Sequence, residues 1–270
     1  MENPLSVLTN KLDYVLIKIP KALSEFRLYL DHIVHNSTEE LTVTCAFMTR
    51  HFSPKMLEIS RNYFEEVEQS RALKKARLIT LKKKKPTLKI EPIKSIDYKS
   101  STYKQYWGVF SGDHIDYATQ YFLEQMNLDG SYTSVLDLGS GNGIIANEIY
   151  KQNPDAGIHL LDESYLAVAS AKLNIQGENI HHHCDNNLSM FKDQQFDLIV
   201  SNPPFHFEYE INIQITINLF RECQRCLNEG GSFQIVANKH LNYKTHLERI
   251  YSTVKTVAEN DKFIVYRCVK

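Results

Sequence analysis

From residue 116 onward the chain alternates between short apolar strands and helical stretches, and this alternation leaves few folds open. Asp116–Met126 has helical spacing and Ser134–Asp137 (SVLD) reads as a strand. Gly143–Lys151 is a helix, Ile158–Asp162 (IHLLD) a strand, Ser164–Ile175 a helix and Ile180–Cys184 a strand. The series continues through Phe196–Ser201 (FDLIVS), a helix over Ile211–Cys226, Ser232–Ala237 (SFQIVA) and a helix over Leu241–Tyr251. It closes on a hairpin of Lys255–Ala258 and Phe263–Cys268. Apolar strands separated by helices are buried on both faces, which calls for parallel pairing with crossover helices on either side. The expectation is an α/β fold with a doubly wound seven-stranded sheet, antiparallel at one edge.

The front of the chain reads differently. Lys21–His35 (KALSEFRLYLDHIVH) has apolar residues at three- and four-residue spacing and predicts an amphipathic helix. Leu41–Phe47 (LTVTCAF) is β-branched and strand-like. Pro54–Phe64 is helical, with Ser53 as N-cap and Pro54 at the first helical position. Ala72–Leu81 predicts a strand ending in Lys82–Lys85 and Pro86, and this run with the polar stretch onward to Thr102 reads as a linker or an edge hairpin leading into a second domain. Residues 1–90 thus form a smaller partial α/β domain and residues 91–270 the main one. No internal repeat is visible.

The 270 residues are 43% hydrophobic and 23% charged, which excludes wholesale disorder. The formal net charge of -1 hides a split. Residues 1–100 hold 18 Lys and Arg against 12 Asp and Glu, leaving 13 against 20 for the rest. A basic front joined to an acidic back suits a polyanionic partner held by the front part. The N-terminus lacks the charge and apolar pattern of a signal peptide, and runs such as Val15-Leu16-Ile17 cannot span a bilayer. Five scattered cysteines propose no disulfide framework, and the expected setting is cytoplasmic.

Two motifs carry chemistry. The strand Val135-Leu136-Asp137 runs into Leu138-Gly139-Ser140-Gly141-Asn142-Gly143 and then a helix, and the next strand ends in Asp162-Glu163. Glycines at alternate positions let backbone approach a ligand, and a carboxylate on the next strand can accept from a ribose diol. The GxGxG spacing, with Asp137 two residues before its first glycine, favours S-adenosylmethionine over a dinucleotide. The second motif, Ser201-Asn202-Pro203-Pro204-Phe205-His206, ends the fourth strand of the series. Two prolines remove amide donors, which leaves the Asn202 side-chain oxygen and the Pro203 carbonyl as acceptors for a planar amino group. Phe205 offers a stacking face for a base, which in a duplex would first have to be flipped out.

Asp137-Leu-Gly-Ser-Gly-Asn-Gly143 together with Asn202-Pro-Pro-Phe-His206 resembles the bacterial ribosomal RNA guanine-N2 methyltransferases. Gly108-Val-Phe-Ser111 followed by Asp116, Asp162-Glu-Ser164 with Ala167-Val-Ala-Ser170, and Val236-Ala-Asn-Lys-His-Leu241 sharpen the likeness to the large subunit methyltransferase G family. The resemblance implies a class I, Rossmann-like methyltransferase acting on N2 of one guanosine in 23S rRNA. It implies S-adenosylmethionine bound by Gly139, Gly141, Gly143 and Asp162, with Asp185 and Asn186 facing the adenine. Asp137, Ser140, Asn142, Glu163 and Asn202 complete the candidate cofactor set. Asn202, Pro203, Pro204 and Phe205 would hold the target guanine. In such proteins the front half is an inactive methyltransferase-like domain, and residues 1–90 are similar to its later part. The expected partner is 23S rRNA, with no metal, no membrane and a monomeric chain.

Other readings stay open at this stage: adenine N6, a small-subunit guanine or a protein glutamine as acceptor, or an inert RNA-binding relative. His181-His182-His183 alternates faces on a strand and so cannot converge on one ion. Cys223 and Cys226 lie near a helix end with no second pair, as buried thiols do. The run Lys82–Lys85 suits a phosphate contact and a solvated turn equally.

Overall fold

The structure is a computed structural model that describes residues 11–112, 114–128, 132–203 and 210–270, with the side chains of 210–213 outside the description. The chain divides into two compact units, Met1–Lys94 with Tyr106–Gly112, and Ser95–Gln105 with Asp113–Lys270.

The first unit runs from β1 (Leu12–Lys18) through the crossover helix α1 (Leu23–His35) to β2 (Ser37–Met48), then through α2 (Pro54–Tyr63) into β3 (Phe64–Gln69) and β4 (Ala76–Lys84). The sheet order is β1-β2-β4-β3, with β1 parallel to β2 and the other pairs antiparallel. Alternation along β2 sends Leu41, Val43, Cys45 and Phe47 into a core with Phe26 and Leu30 of α1 and Met56 and Ile59 of α2. The opposite face carries Thr44, Ala46 and Met48, and Leu16 and Leu78 stand exposed beside Thr44 and Ala46. The cap of α2 forms as its sequence suggests: Lys55 N–H donates to Ser53 Oγ, with Pro54 at the first position.

Three features of this unit differ from expectation. β1 and β3 are not foreseen by the sequence pattern: β3 (FEEVEQ) is an edge strand whose polar residues read as loop, and β1 (LDYVLIK) lacks the apolar–polar alternation that marks a half-buried strand. β4 starts at Ala76 rather than Ala72. Lys74 and Lys75 both have positive φ, 46° and 65°, and close a tight turn in which Leu73 and Ala76 exchange backbone bonds. Such paired positive values match the twist of a β-hairpin. The lysine run is therefore strand end rather than linker, and Lys83 and Lys84 pair with Glu66 and Glu39. Gly108 explains the start of its motif: at φ 99°, a Cβ there would lie 2.6 Å from Glu25 Cβ, so only glycine lets this segment back onto α1.

β5 (Ile93–Tyr98) and β6 (Ser101–Tyr106) form a two-stranded sheet within the stretch read as linker or hairpin. The second unit then runs α3 (Tyr117–Gln125), β7 (Ser134–Leu138), α4 (Ile144–Gln152), β8 (Gly157–Asp162), α5 (Tyr165–Asn174) and β9 (Ile180–Cys184). It continues with β10 (Phe196–Ser201), α6 (Glu210–Cys226), β11 (Leu227–Asn238), α7 (Lys244–Leu247), β12 (Thr253–Glu259) and β13 (Phe263–Val269). The seven strands lie in the order β12-β13-β11-β10-β7-β8-β9, parallel from β11 to β9 and antiparallel at β13 and β12. Successive residues face opposite layers: Val135, Leu198 and Val200 join one core, Leu136 and Ile199 the other. Both faces are therefore covered, as the unbroken apolar strands require.

The helix expected over Leu241–Tyr251 shrinks to α7. Asn242 adopts a left-handed conformation at φ 47° and ends the preceding turn, although Tyr243, Leu247 and Tyr251 keep their four-residue spacing into the core. The topology itself locates a site. From β7 the chain winds outward through β8 and β9, then returns to place β10 on the other side of β7. Ligands of such sheets bind at this reversal, beyond the carboxyl ends of the strands.

Candidate active site

Leu138 and Ser201, the last residues of β7 and β10, are register partners, and Ser201 Oγ donates to the Leu138 carbonyl at 2.7 Å. The glycine loop and Asn202 therefore leave the sheet side by side. In the loop, Gly139, Gly141 and Gly143 all have positive φ. The amides of Gly139 and Ser140 both donate to Leu161 O, Gly141 N–H donates to Asp162 Oδ2 at 2.9 Å, and Gly143 N–H closes the turn on Ser140 O. The first three of these donors hold the loop against β8. What the loop offers outward is space and side-chain oxygen: among the described residues, a Cβ on Gly141 would meet nothing within 4 Å, and the buried Ser140 hydroxyl has no partner. Gly143 is needed for a different reason, since a Cβ there would crowd Ala171, Leu160 and Ile175 at 3.2–3.3 Å.

Carboxylates line the floor. Asp137 is fully buried; Ala146 N–H in the first turn of α4 donates to Oδ2 at 3.0 Å, while Oδ1 has no partner among the described residues. Burial drives this carboxyl up to about 7, the Ala146 bond opposes the rise, and the negative Asp162 adds to it. Asp162 is also raised by burial, against the donors Ser164 N–H and Gly141 N–H. Each Asp162 oxygen has one such donor and a lone pair to spare, which suits a diol. Two under-solvated carboxyls with an orphaned oxygen make the floor favourable to positive charge.

The remaining predicted cofactor residues divide. Asn142 turns inward: its amide donates to Gln105 Oε1 and its Oδ1 accepts from Ile144 N–H, so it braces the loop. Asp185 N–H donates to Asp162 O, joining the ends of β8 and β9, and Asp185 Oδ1 accepts from Asn186 N–H and the Asn187 amide. Glu163 and Asn186 are exposed.

Asn202 is the most constrained polar residue at the mouth. Its Nδ2 donates to Asp116 Oδ2 at 3.0 Å and to Thr119 Oγ1 at 2.7 Å. Asp116 is the N-cap of α3, its Oδ2 also accepting from Thr119 N–H at 3.1 Å. Sequence reasoning places Asp116 at a helix start and misses its second bond; the cap signal is visible, the partner across 86 positions is not. Pro203 follows in place, half-buried. Pro204 and Phe205 lie outside the described residues.

The other signals resolve as packing. His181 and His183 share a face with His159, whose Nδ1 lies 3.0 Å from His183 Nε2 with the rings stacked, against Phe191 and Phe196. His182 turns away to Ile175 O. Among the described residues, no three His, Cys, Asp or Glu side chains are arranged to hold a metal ion. Burial pushes the Cys226 thiol up to about 11 and that of Cys268 to about 12, so neither is a nucleophile. No helix among the described residues is long and apolar enough to cross a membrane.

Residues 101–267 match the methyltransferase small domain and residues 1–85 match the RLMG N-terminal domain. The ribosomal RNA large subunit methyltransferase G of Psychromonas ingrahamii is 34% identical over all of this chain and 73% of its own length. The like-named protein of Photobacterium profundum is 32% identical over 95% of this chain and 71% of its own. The chain belongs to the ribosomal RNA large subunit methyltransferase G family. Among solved structures, the 16S rRNA N2 methyltransferase of T. thermophilus, in complex with AdoMet and guanosine, superposes with a TM-score of 0.80. It is 19% identical and covers 99% of this chain and 75% of that one. The family's architecture is thus the one seen here, a class I methyltransferase sheet with a smaller α/β unit before it.

Proposed function

We propose that this chain transfers the methyl group of S-adenosylmethionine to the exocyclic N2 of one guanosine in 23S rRNA. The observation that carries this reading is the Asn202 amide: both its hydrogens are spent on Asp116 and Thr119, so its oxygen is the atom left to accept. It stands beside a glycine loop whose floor favours a cation. S-adenosylmethionine supplies an electrophilic methyl on a sulfonium, and its charge and ribose diol fit the Asp137–Asp162 floor, the Ser140 hydroxyl and the open space over Gly141.

The residues of the chain position rather than activate. Asn202 Oδ1 and the Pro203 carbonyl accept the two hydrogens of the guanine amine, which holds the nitrogen lone pair toward the methyl group. The amine nitrogen forms the new N–C bond as the C–S bond breaks with its pair going to sulfur. The resulting ammonium is far more acidic than the amine and gives its proton to water, so neither a strong base nor a Lewis acid is called for. Phe205 stacks the flipped base. Asp162, Gly139, Gly141 and Gly143 seat the cofactor, with Asp185 and Asn186 at its adenine. Residues 1–90 form a non-catalytic domain that holds the RNA, a role supported by the excess of Lys and Arg in the front of the chain.

The test is transfer of labelled methyl to protein-free 23S rRNA. The expected product is N2-methylguanosine, lost in Asn202→Ala. Label on adenine or on protein replaces the substrate. Failure to bind S-adenosylmethionine overturns the reading.

A further inference from the structure

Resting on that reading, we infer that Asp116, with Thr119, is the positioning residue that fixes which way the Asn202 amide points, and so whether the site presents an acceptor or a donor to the guanine amine.

An asparagine amide is nearly symmetric in shape but opposite in polarity at its two ends. Rotated by half a turn, it would offer the substrate an NH2 group facing an NH2 group, and the grip would become a repulsion. Nothing in Asn202 itself selects one orientation. A carboxylate does, because ionised it can only accept, so the amide end 3.0 Å from Asp116 Oδ2 must be the nitrogen. Thr119 Oγ1 takes the second hydrogen at 2.7 Å, which leaves Oδ1 as the outward atom. Asp116 is itself held, since the same Oδ2 accepts Thr119 N–H at the start of α3. Thr119 is buried, so this lock is shielded on the helix side. The chain thus connects the first turn of α3 to the residue after β10 and uses a helix cap to set hydrogen-bond polarity at the substrate.

The test is a polarity swap in the full chain. Asp116→Ser keeps an N-cap for α3 but cannot reach Asn202, and is expected to lower kcat about 100-fold with the KM for S-adenosylmethionine unchanged. Asp116→Asn presents an amide that can accept or donate, so Asn202 is no longer held one way, and this variant is expected to fall between Asp116→Ser and the unaltered chain. Asn202→Asp places two carboxylates in contact, so one proton must be shared for an oxygen to face outward in the right geometry. Its activity should therefore fall as pH rises and that proton is lost. In the double variant Asp116→Asn with Asn202→Asp, the amide introduced on α3 supplies the hydrogen. The pH dependence should then flatten, with activity at high pH recovered by roughly tenfold or more over Asn202→Asp alone. A loss of fold would not produce that recovery. Wild-type kcat in Asp116→Ser, or a double variant no better than Asn202→Asp alone, overturns the inference. Absence of transfer by the unaltered chain, or full transfer by Asn202→Ala, instead overturns the reading beneath it.

Discussion

The first unit repeats, strand for strand, the second half of the other unit's sheet. β1 runs parallel to β2, β2 antiparallel to β4, and β4 antiparallel to β3; β10, β11, β13 and β12 pair in the same senses and order. Both copies pass from the second strand into a single 3-10 turn, Thr49–His51 in one and Lys239–Leu241 in the other. Counting back from that turn along the registers puts Lys18, the partner of Ala46, where Asn202 stands beside Val236. The scaffold is the same and the chemistry is not. An ammonium donates and cannot accept, so Lys18 cannot grip an amine. The copies also differ in cover. β10 and β11 bury both faces, whereas β1 and β2 leave Leu16 and Met48 exposed. A topology therefore fixes where a site can be, and the residues after the strand decide whether there is one.

The largest effect should come from writing one copy into the other. Asn202→Lys removes the acceptor and adds a cation, and should reduce methyl transfer by roughly 1,000-fold or more, near the upper range for loss of a preorganised polar contact, with unchanged circular dichroism. The reverse change, Lys18→Asn, should leave transfer unaltered; if it alters the rate, the copy is not chemically silent.

The difference in cover can be measured by denaturation. Leu198→Ala empties a fully buried position and should cost about 2–5 kcal/mol. Leu16→Ala, at 72% exposure, should change stability by no more than about 0.5 kcal/mol. A large loss at Leu16 would show that this face is covered in solution.

The histidine stack of the second unit should give a pH signature. His159 is lowered to about 4, first by burial and then by the proximity of His181 and His183, so the folded state resists its protonation. Between the ordinary histidine value and about 4, the unfolded chain binds more protons, and stability must fall as pH falls through that window. His159→Gln should flatten the decline. Asp137, raised to about 7, works in the opposite sense, since its folded form holds a proton that the unfolded form releases. Asp137→Asn should therefore steepen the decline, and urea midpoints at successive pH values would show both slopes.

The smallest effect concerns caps. Ser53→Ala removes the cap of α2 and should cost about 1 kcal/mol, while Ala22→Asp supplies α1 with a cap its Ala22 cannot make and should stabilise the first unit by a similar amount.

Most of the second unit is legible in the chain itself because its strands are buried on both faces and its helices on one. The apolar run Phe196–Ser201, the glycines after β7 and the acid ending β8 each announce themselves locally. The division of labour within the glycine loop is not legible: the amides of Gly139, Ser140 and Gly141 brace β8, while the space over Gly141 and the Ser140 hydroxyl remain open among the described residues. The edge strand β3 is not legible, since its wet face gives it the composition of a loop, and β1 is not, since its apolar run Tyr14–Ile17 does not alternate. Nor is the repeat, because two sheets can share pairing while sharing almost no side chains.

The order of elements in the second unit and its doubly wound winding are legible in sequence alone, through periodicities that act over a few positions. Tertiary structure decided which of those residues meet. Asn202 and Asp116 are 86 positions apart, and only the return of the chain to place β10 beside β7, with α3 packed on β11, brings an amide to a helix cap. Hydrogen-bond polarity is a property of the pair rather than of either residue, so the direction in which Asn202 points belongs to the fold.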